Sequence, residues 1–179
     1  MSLQLKLAPK PATDVIVLDS MVPEPIIWPI AGGKGGTGKS TLTSNIGLGL
    51  ALLGYKVVLV DCDLGGSDLH LFFDQISPAR SLSDFLTKEA RSLDEVLLPT
   101  PNANLHLVCG GNDLVGMANL SYMAKLRLLR HIRALDADYI IIDLGAGSAY
   151  NTIDFFTLSN NGIIVCTPDS HARVDAYGF

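Results

Sequence analysis

Five glycines stand within residues 32–41, and this stretch limits the possible folds more than any other part of the chain. It lies between an apolar run, residues 26–30, and a segment with helical character, residues 40–53. From Gly33 to Ser40 its spacing is G-x-x-x-x-G-K-S, the pattern of a phosphate-binding loop. A strand that enters such a loop and leaves it as a helix directs backbone N–H groups at phosphate. The stretch therefore predicts a binding site for a nucleoside triphosphate.

Each residue type in the loop has a chemical reason to be there. Glycine lets the backbone approach phosphate closely and adopts the positive φ angles that a tight curl needs. The pattern predicts that Lys39 contacts the β and γ phosphates, that Ser40 binds Mg²⁺, and that Thr41 is the next contact. The full set of predicted nucleotide contacts is Gly33, Lys34, Gly35, Gly36, Thr37, Gly38, Lys39, Ser40 and Thr41.

The rest of the chain alternates between strand-like and helix-like segments. Further short apolar runs, each predicted to be a strand, occupy residues 57–60, 105–108, 139–142 and 163–166. Helical segments are predicted over residues 82–88, 93–98, 121–135 and 151–159, with another opening at residue 170. This alternation predicts an α/β fold, a doubly wound and mostly parallel sheet flanked by helices. Ligands on such sheets bind at the carboxyl ends of the strands.

Three aspartates follow the predicted strands at that edge. Asp61 and Asp63 come directly after residues 57–60, and Asp143 directly follows residues 139–142. Alternate residues of a strand point the same way, so Asp61 and Asp63 can share a direction. Carboxylates there can hold Mg²⁺ or orient the attacking water. We predict Ser40, Asp61 and Asp143 as the metal site.

Composition limits the classes of function. The net charge is −5 and the pI about 5.2, which disfavours non-specific nucleic-acid binding. The three cysteines are far apart, form no C-x-x-C pair, and are predicted to be buried, reduced thiols. No apolar run is long enough to cross a membrane and no signal peptide is evident, so we expect a cytoplasmic protein. The basic residues within 121–135 predict a solvated helix face, with a docking surface as the alternative.

Proline-rich residues 1–25 are predicted to be peripheral, although residues 14–18 include a short apolar run that could add an edge strand. Residues 26–179 are predicted to form one nucleotide-binding domain.

The loop resembles the deviant phosphate loop K-G-G-x-G-K-S of the MinD/ParA family, in which the early lysine corresponds to Lys34. The segments V-V-L-V-D-x-D, ending at Asp63, and D-L-G-A-G, starting at Asp143, are also similar to that family. The resemblance covers about residues 26–179 and looks closest to MinD and FlhG. It implies the P-loop NTPase fold of the SIMIBI type, also described as a CobQ/CobB/MinD/ParA nucleotide-binding domain.

The resemblance also implies a mechanism. ATP and Mg²⁺ are bound and ATP is hydrolysed, two copies form a homodimer around the nucleotide, and a partner protein stimulates turnover. Lys34 would reach the nucleotide of the other copy, Lys39 would contact its own, and Asp63 would orient the attacking water. Family members continue beyond residue 179, so we expect a domain truncated at its C-terminus. Adenine recognition, and any membrane-binding helix, would lie in that missing part.

Two positions depart from the family pattern. Gly145 stands where many relatives have proline, and Asp68 stands where MinD-like sequences often have asparagine.

The favoured hypothesis is an ATPase switch that regulates the positioning or partitioning of a cellular component. The alternatives are a metabolic or metallocluster-assembly enzyme of the same fold, and a nucleotide-binding scaffold with little hydrolysis.

Overall fold

A six-stranded sheet forms the centre of the molecule. The computed structural model describes residues 24–63, 66–111, 120–147, 150–157 and 159–178. In chain order the strands are β1 (Ile26–Gly32), β2 (Val57–Cys62), β3 (Leu97–Pro99), β4 (Leu105–Val108), β5 (Tyr139–Ala146) and β6 (Ile163–Ile164). Their spatial order is β3-β4-β2-β5-β1-β6, and only the β3–β4 pair is antiparallel. The predicted mostly parallel sheet is confirmed.

Helices cover both faces of this sheet. They are α1 (Lys39–Leu52), α2 (Leu82–Leu86), α3 (Tyr122–Arg133), α4 (Tyr150–Phe156) and α5 (Ser170–Tyr177), with 3-10 helices at Leu69–Phe73 and Asp94–Val96. Among the described helices, none combines the length and hydropathy that a membrane span requires.

Alternation along the strands divides the core into two buried clusters. In β2, Val58 and Val60 belong to the cluster that includes side chains of α2, α3 and α4. Val57 and Leu59 belong to the opposite cluster, which includes side chains of α1. Strand β5 divides in the same way. Because these central strands are buried on both faces, they appear in the sequence as continuous apolar runs.

Strand register brings the predicted carboxylates to one edge. Asp61 of β2 pairs with Asp143 of β5, and β5 lies next to β1, which leads into the glycine-rich loop. The loop and the two aspartates therefore meet toward the carboxyl ends of the parallel strands. The strands are longer than predicted, because β2 continues through Asp61 to Cys62 and β5 through Asp143 to Ala146.

Some predicted elements were wrong or longer than the structure shows. Residues 93–98 form no α-helix: a 3-10 turn leads into β3, because the segment is short and Pro99 ends it. The last predicted strand is limited to Ile163–Ile164, and Cys166, expected to be buried, is exposed. The run at residues 14–18 lies outside the described residues, as does nearly all of the predicted N-terminal extension.

Candidate functional site

The glycine-rich loop has the backbone shape that phosphate binding needs. Gly36 and Gly38 adopt positive φ angles of 73° and 89°, which favour glycine. A Cβ on either would meet nothing within 4 Å, so their backbone faces open space. Gly38 directly precedes α1, whose first N–H groups have no partners within the helix. This is an anion-binding arrangement.

The start of the loop is tightly enclosed. A Cβ added at Gly32 would lie 2.6 Å from the carbonyl oxygen of Val165, just beyond β6. At Gly33 it would lie 2.3 Å from the backbone carbon of Asp175 in α5. Position 33 therefore requires glycine for two reasons: the phosphate-loop pattern has glycine there, and the backbone of α5 leaves no room for a Cβ. The contact with α5 could not be foreseen, since it joins residues far apart in sequence.

The two loop lysines occupy different environments. Lys39 is buried, with 7% of its surface exposed. The Lys34 side chain is half exposed, and its Nζ lies 3.8 Å from Oδ1 of Asp169. Asp169 caps α5 by accepting a hydrogen bond from the Ala172 N–H. Lys39 thus lies in the interior of the site, whereas Lys34 lies at its rim.

Asp143, in the C-terminal half of β5, connects that strand to the start of α1. Its carboxylate is buried and accepts a hydrogen bond from the Thr43 hydroxyl, with 3.1 Å between the oxygens. Burial raises the pKa of Asp143, while hydrogen bonds from Ser40 and Thr43 and the charge of Lys39 act against that rise. The predicted residues Lys39, Ser40 and Asp143 are therefore close neighbours.

Asp61 organises the segment that follows β2. It is fully buried, its Oδ1 accepts from the Asp63 N–H, and its Oδ2 accepts from the Ser67 hydroxyl at 2.6 Å and the Leu69 N–H at 3.2 Å. A Cβ on Gly110 would fall 2.4 Å from the Ser67 hydroxyl oxygen. Burial raises the pKa of Asp61 to about 7, even though these donors favour the charged form.

Asp63 lies against the end of β5. A Cβ on Gly145 would be 3.1 Å from Asp63 Oδ1, a tight separation. The charge of Asp63 is also close enough to Asp143 to contribute to raising its pKa. Asp63 therefore shares the site with Asp143. Asp68 is exposed at the start of the Leu69–Phe73 turn.

The donor set fits Mg²⁺. The Ser40 hydroxyl and the Asp143 carboxylate are hard oxygen ligands, and they are hydrogen-bonded to each other. A bound cation would favour the charged form of the buried Asp143 carboxylate. Mg²⁺ in nucleotide sites is commonly held by one or two protein oxygens, phosphates and water. Within the described residues, no cluster of three or more His, Cys, Asp or Glu side chains could hold a metal unaided.

Sequence reasoning missed three residues of this site: Thr43, Ser67 and Gly110. For Thr43 a signal existed, because it lies three positions after Ser40 and therefore on the same side of α1. For Ser67 and Gly110 the local sequence carries no such signal, since their roles depend on how the segment after β2 meets the end of β4.

Comparisons with known proteins agree on the kind of site. The ParA family profile, described as NUBPL iron-transfer P-loop NTPase, matches residues 25–177. Among curated proteins, the antiactivator FleN of Pseudomonas aeruginosa is 29% identical over 89% of this chain and 56% of its own length. A putative septum site-determining protein MinD of Oltmannsiellopsis viridis is 33% identical over 82% of this chain and 46% of its own.

The flagellum site-determining protein YlxH of Helicobacter pylori is also 33% identical, over 83% of this chain and 50% of its own length. The chain thus spans about half the length of the curated relatives it matches.

Solved structures give the same picture. The septum site-determining protein MinD of Pyrococcus horikoshii, complexed with Mg-ADP, superposes with a TM-score of 0.73 at 29% identity. That match covers 84% of this chain and 61% of the other. The cell division ATPase MinD of Pyrococcus furiosus gives a TM-score of 0.75 at 28% identity, covering 86% of this chain and 64% of the other.

Proposed function

The chain belongs to the ParA family of P-loop NTPases, and from that premise we propose that it is an ATP-hydrolysing switch. It binds ATP and Mg²⁺, forms a homodimer around the nucleotide, and regulates the positioning or partitioning of a cellular component. The names of its relatives support this: two are site-determining proteins of the septum or the flagellum, and one is an antiactivator.

One observation carries the proposal: the two loop lysines are placed differently. Lys39 is buried beside Asp143, as a lysine that serves a nucleotide in its own chain would be. Lys34 is half exposed at the rim, where a second molecule can reach it. A cation contributed by a second chain stabilises the charge on a transferring phosphoryl group, as an arginine finger does.

The chemistry follows from the neighbouring side chains. Asp63 orients a water molecule, whose oxygen forms a bond to the γ phosphorus as the bond from that phosphorus to the bridging oxygen breaks. The electron pair of the broken bond stays on the terminal oxygen of ADP, and the proton of the water passes to the released phosphate. Lys39, and Lys34 of the second copy, stabilise the charge that develops on the phosphate oxygens. When bound, Mg²⁺ supplies charge neutralisation; Ser40 and Asp143 are the residues that would hold it, with Asp61 on the same side.

The switch requires a partner that reads its state. In this proposal a protein partner stimulates hydrolysis, and the ATP-bound dimer docks on its target in the cytoplasm.

Two lysine variants test the proposal. Lys39→Ala should abolish binding of ATP with Mg²⁺, measured by calorimetry, because the charge on the β and γ phosphates loses its buried counter-ion. Lys34→Ala should leave that affinity within about twofold but abolish ATP-dependent dimerisation, measured by light scattering with a non-hydrolysable analogue.

Each failure has its own meaning. Unchanged affinity in Lys39→Ala would refute the site assignment. A parent protein that stays monomeric with the analogue bound would refute the shared site. If the parent dimerises but releases phosphate no faster than Asp63→Ala, the protein is a nucleotide-dependent scaffold.

The description of the matching family as iron-transfer NTPases favours one second candidate, metallocluster assembly. The cysteines argue against it: Cys62 and Cys109 are buried, and burial raises the pKa of both thiols, that of Cys109 to about 12. Cluster ligands must be thiolates, which these two buried thiols resist forming, and that leaves Cys166 as the one exposed cysteine of the three. Anaerobic iron–sulfur reconstitution decides the matter, since a stable visible absorption band from the reconstituted protein would support this candidate.

A further inference from the structure

Thr43 is a fully buried residue of the site that the phosphate-loop pattern does not include. It lies in the second turn of α1, three residues after Ser40, and none of its surface is exposed. Its hydroxyl oxygen lies 3.1 Å from Oδ1 of Asp143 and 3.0 Å from the carbonyl oxygen of Lys39. The Thr43 side chain therefore lies between the backbone of Lys39 and the Asp143 carboxylate on β5.

The hydroxyl has one proton for these two acceptors. Lys39 O is a neutral carbonyl within the same helix, the usual local acceptor for threonine. Asp143 is a carboxylate, and hydrogen bonds to an ionised acceptor are about twice as strong as neutral ones. The two separations are nearly equal, so the Thr43 hydroxyl donates its hydrogen bond to Asp143 when that carboxylate is ionised.

We propose that Thr43 is a positioning residue that holds Asp143 in the orientation needed for Mg²⁺, and so sets the metal affinity of the nucleotide site. This inference rests on the proposed function above. Ser40 also donates to Asp143, but Ser40 is itself a predicted Mg²⁺ ligand. Thr43 is the donor on α1 that fixes Asp143 without also serving the metal.

A valine substitution isolates the hydroxyl. Thr43→Val keeps the branched shape and similar helix propensity but removes the donor, so Asp143 stays buried with one hydrogen bond fewer. The readout is ADP affinity by calorimetry, first in EDTA and then across a Mg²⁺ series. In Thr43→Val, the Mg²⁺ concentration that gives half of the maximal increase in ADP affinity (the Mg²⁺ midpoint) should rise about tenfold. ADP affinity in EDTA should stay within about twofold of that of the parent protein.

Two variants serve as controls. Thr43→Ser retains the hydroxyl and should restore the Mg²⁺ midpoint to within about twofold of the parent. Ser44→Ala removes a neighbouring buried hydroxyl, which donates to the carbonyl of Thr41 at 3.0 Å, and should leave the midpoint unchanged. If thermal unfolding shows that the valine variant does not fold, Thr43→Ala replaces it with the same expected shift.

The outcomes are separable. An unshifted midpoint in the folded hydroxyl-free variant would show that Thr43 bonds only to Lys39 O and would overturn the inference. A Ser variant as impaired as Val would also overturn it, because methyl packing would then be the cause. Either result leaves the proposed function intact, whereas a parent protein that binds no ADP at any Mg²⁺ concentration refutes the proposed function itself.

Discussion

Asp63 and Gly145 occupy adjoining space, and each constrains the other. The Asp63 carboxylate lies where a side chain at position 145 would need room, since a Cβ there would be 3.1 Å from Oδ1 and 3.4 Å from Cγ. Glycine at position 145 therefore leaves room for a carboxylate packed against the end of β5.

Gly145→Ala should lower the rate of hydrolysis without weakening nucleotide binding. In the proposed function Asp63 orients the attacking water, and the added methyl group would displace its carboxylate. Small displacements of such a group are costly, here about tenfold in kcat. Steady-state phosphate release across a range of ATP concentrations should show KM within about twofold. Gly49→Ala is the control, because its methyl group enters open space on the exposed side of α1. Equal kcat values in both variants would contradict the steric coupling.

Helix α3 shows how a single element can combine surface and structural basic residues. Its sequence predicted a solvated basic face. In the structure the Arg127 guanidinium donates to the carbonyl of Phe85 at 2.9 Å and that of Ala90 at 3.2 Å, and lies 4.0 Å from the Phe85 ring centroid. Lys125 pairs with Asp154 of α4 at 2.6 Å. Arg127 thus connects α3 to the segment that contains α2.

Arg127→Lys should destabilise the fold although the charge is kept. An ammonium cannot reproduce the planar fork that reaches two carbonyls and stacks on a ring, so we expect a loss of about 1–2 kcal/mol in the free energy of unfolding. Urea denaturation gives the value. Arg130 lies three residues further along α3 and is exposed. Arg130→Lys should therefore change the free energy of unfolding by less than about 0.5 kcal/mol. Similar losses in both variants would contradict a specific role for the Arg127 guanidinium.

For the whole molecule, features set by neighbouring residues in the sequence could be predicted, whereas features set by contacts between distant residues could not. The phosphate loop and the central strands could be predicted, because contiguous residues carry the loop and burial on both faces leaves an unbroken apolar run. The turn at Leu69–Phe73 could not, since its first N–H is held by Asp61. The approach of α5 to Gly33 likewise depends on tertiary packing. Strand β3 could not be predicted either, because its 3 residues are too few to show an apolar pattern.

The two faces of the sheet should unfold together, and the cysteines can report on it. Cys62 belongs to one core cluster and Cys109 to the other, whereas Cys166 is exposed. An aromatic disulfide reagent should modify Cys166 rapidly and the buried pair only after opening, since burial raises the pKa of both buried thiols and the thiolate is the reactive form.

In Cys166→Ser the fast phase should disappear. The remaining two thiols should then react at rates that agree within about threefold, because strands that share one sheet open as a unit. Peptide mapping after quenching assigns each rate to its cysteine. A tenfold faster reaction at Cys109 would show that the face bearing α1 opens independently of the face bearing α2, α3 and α4, and the fold would then consist of two stability units.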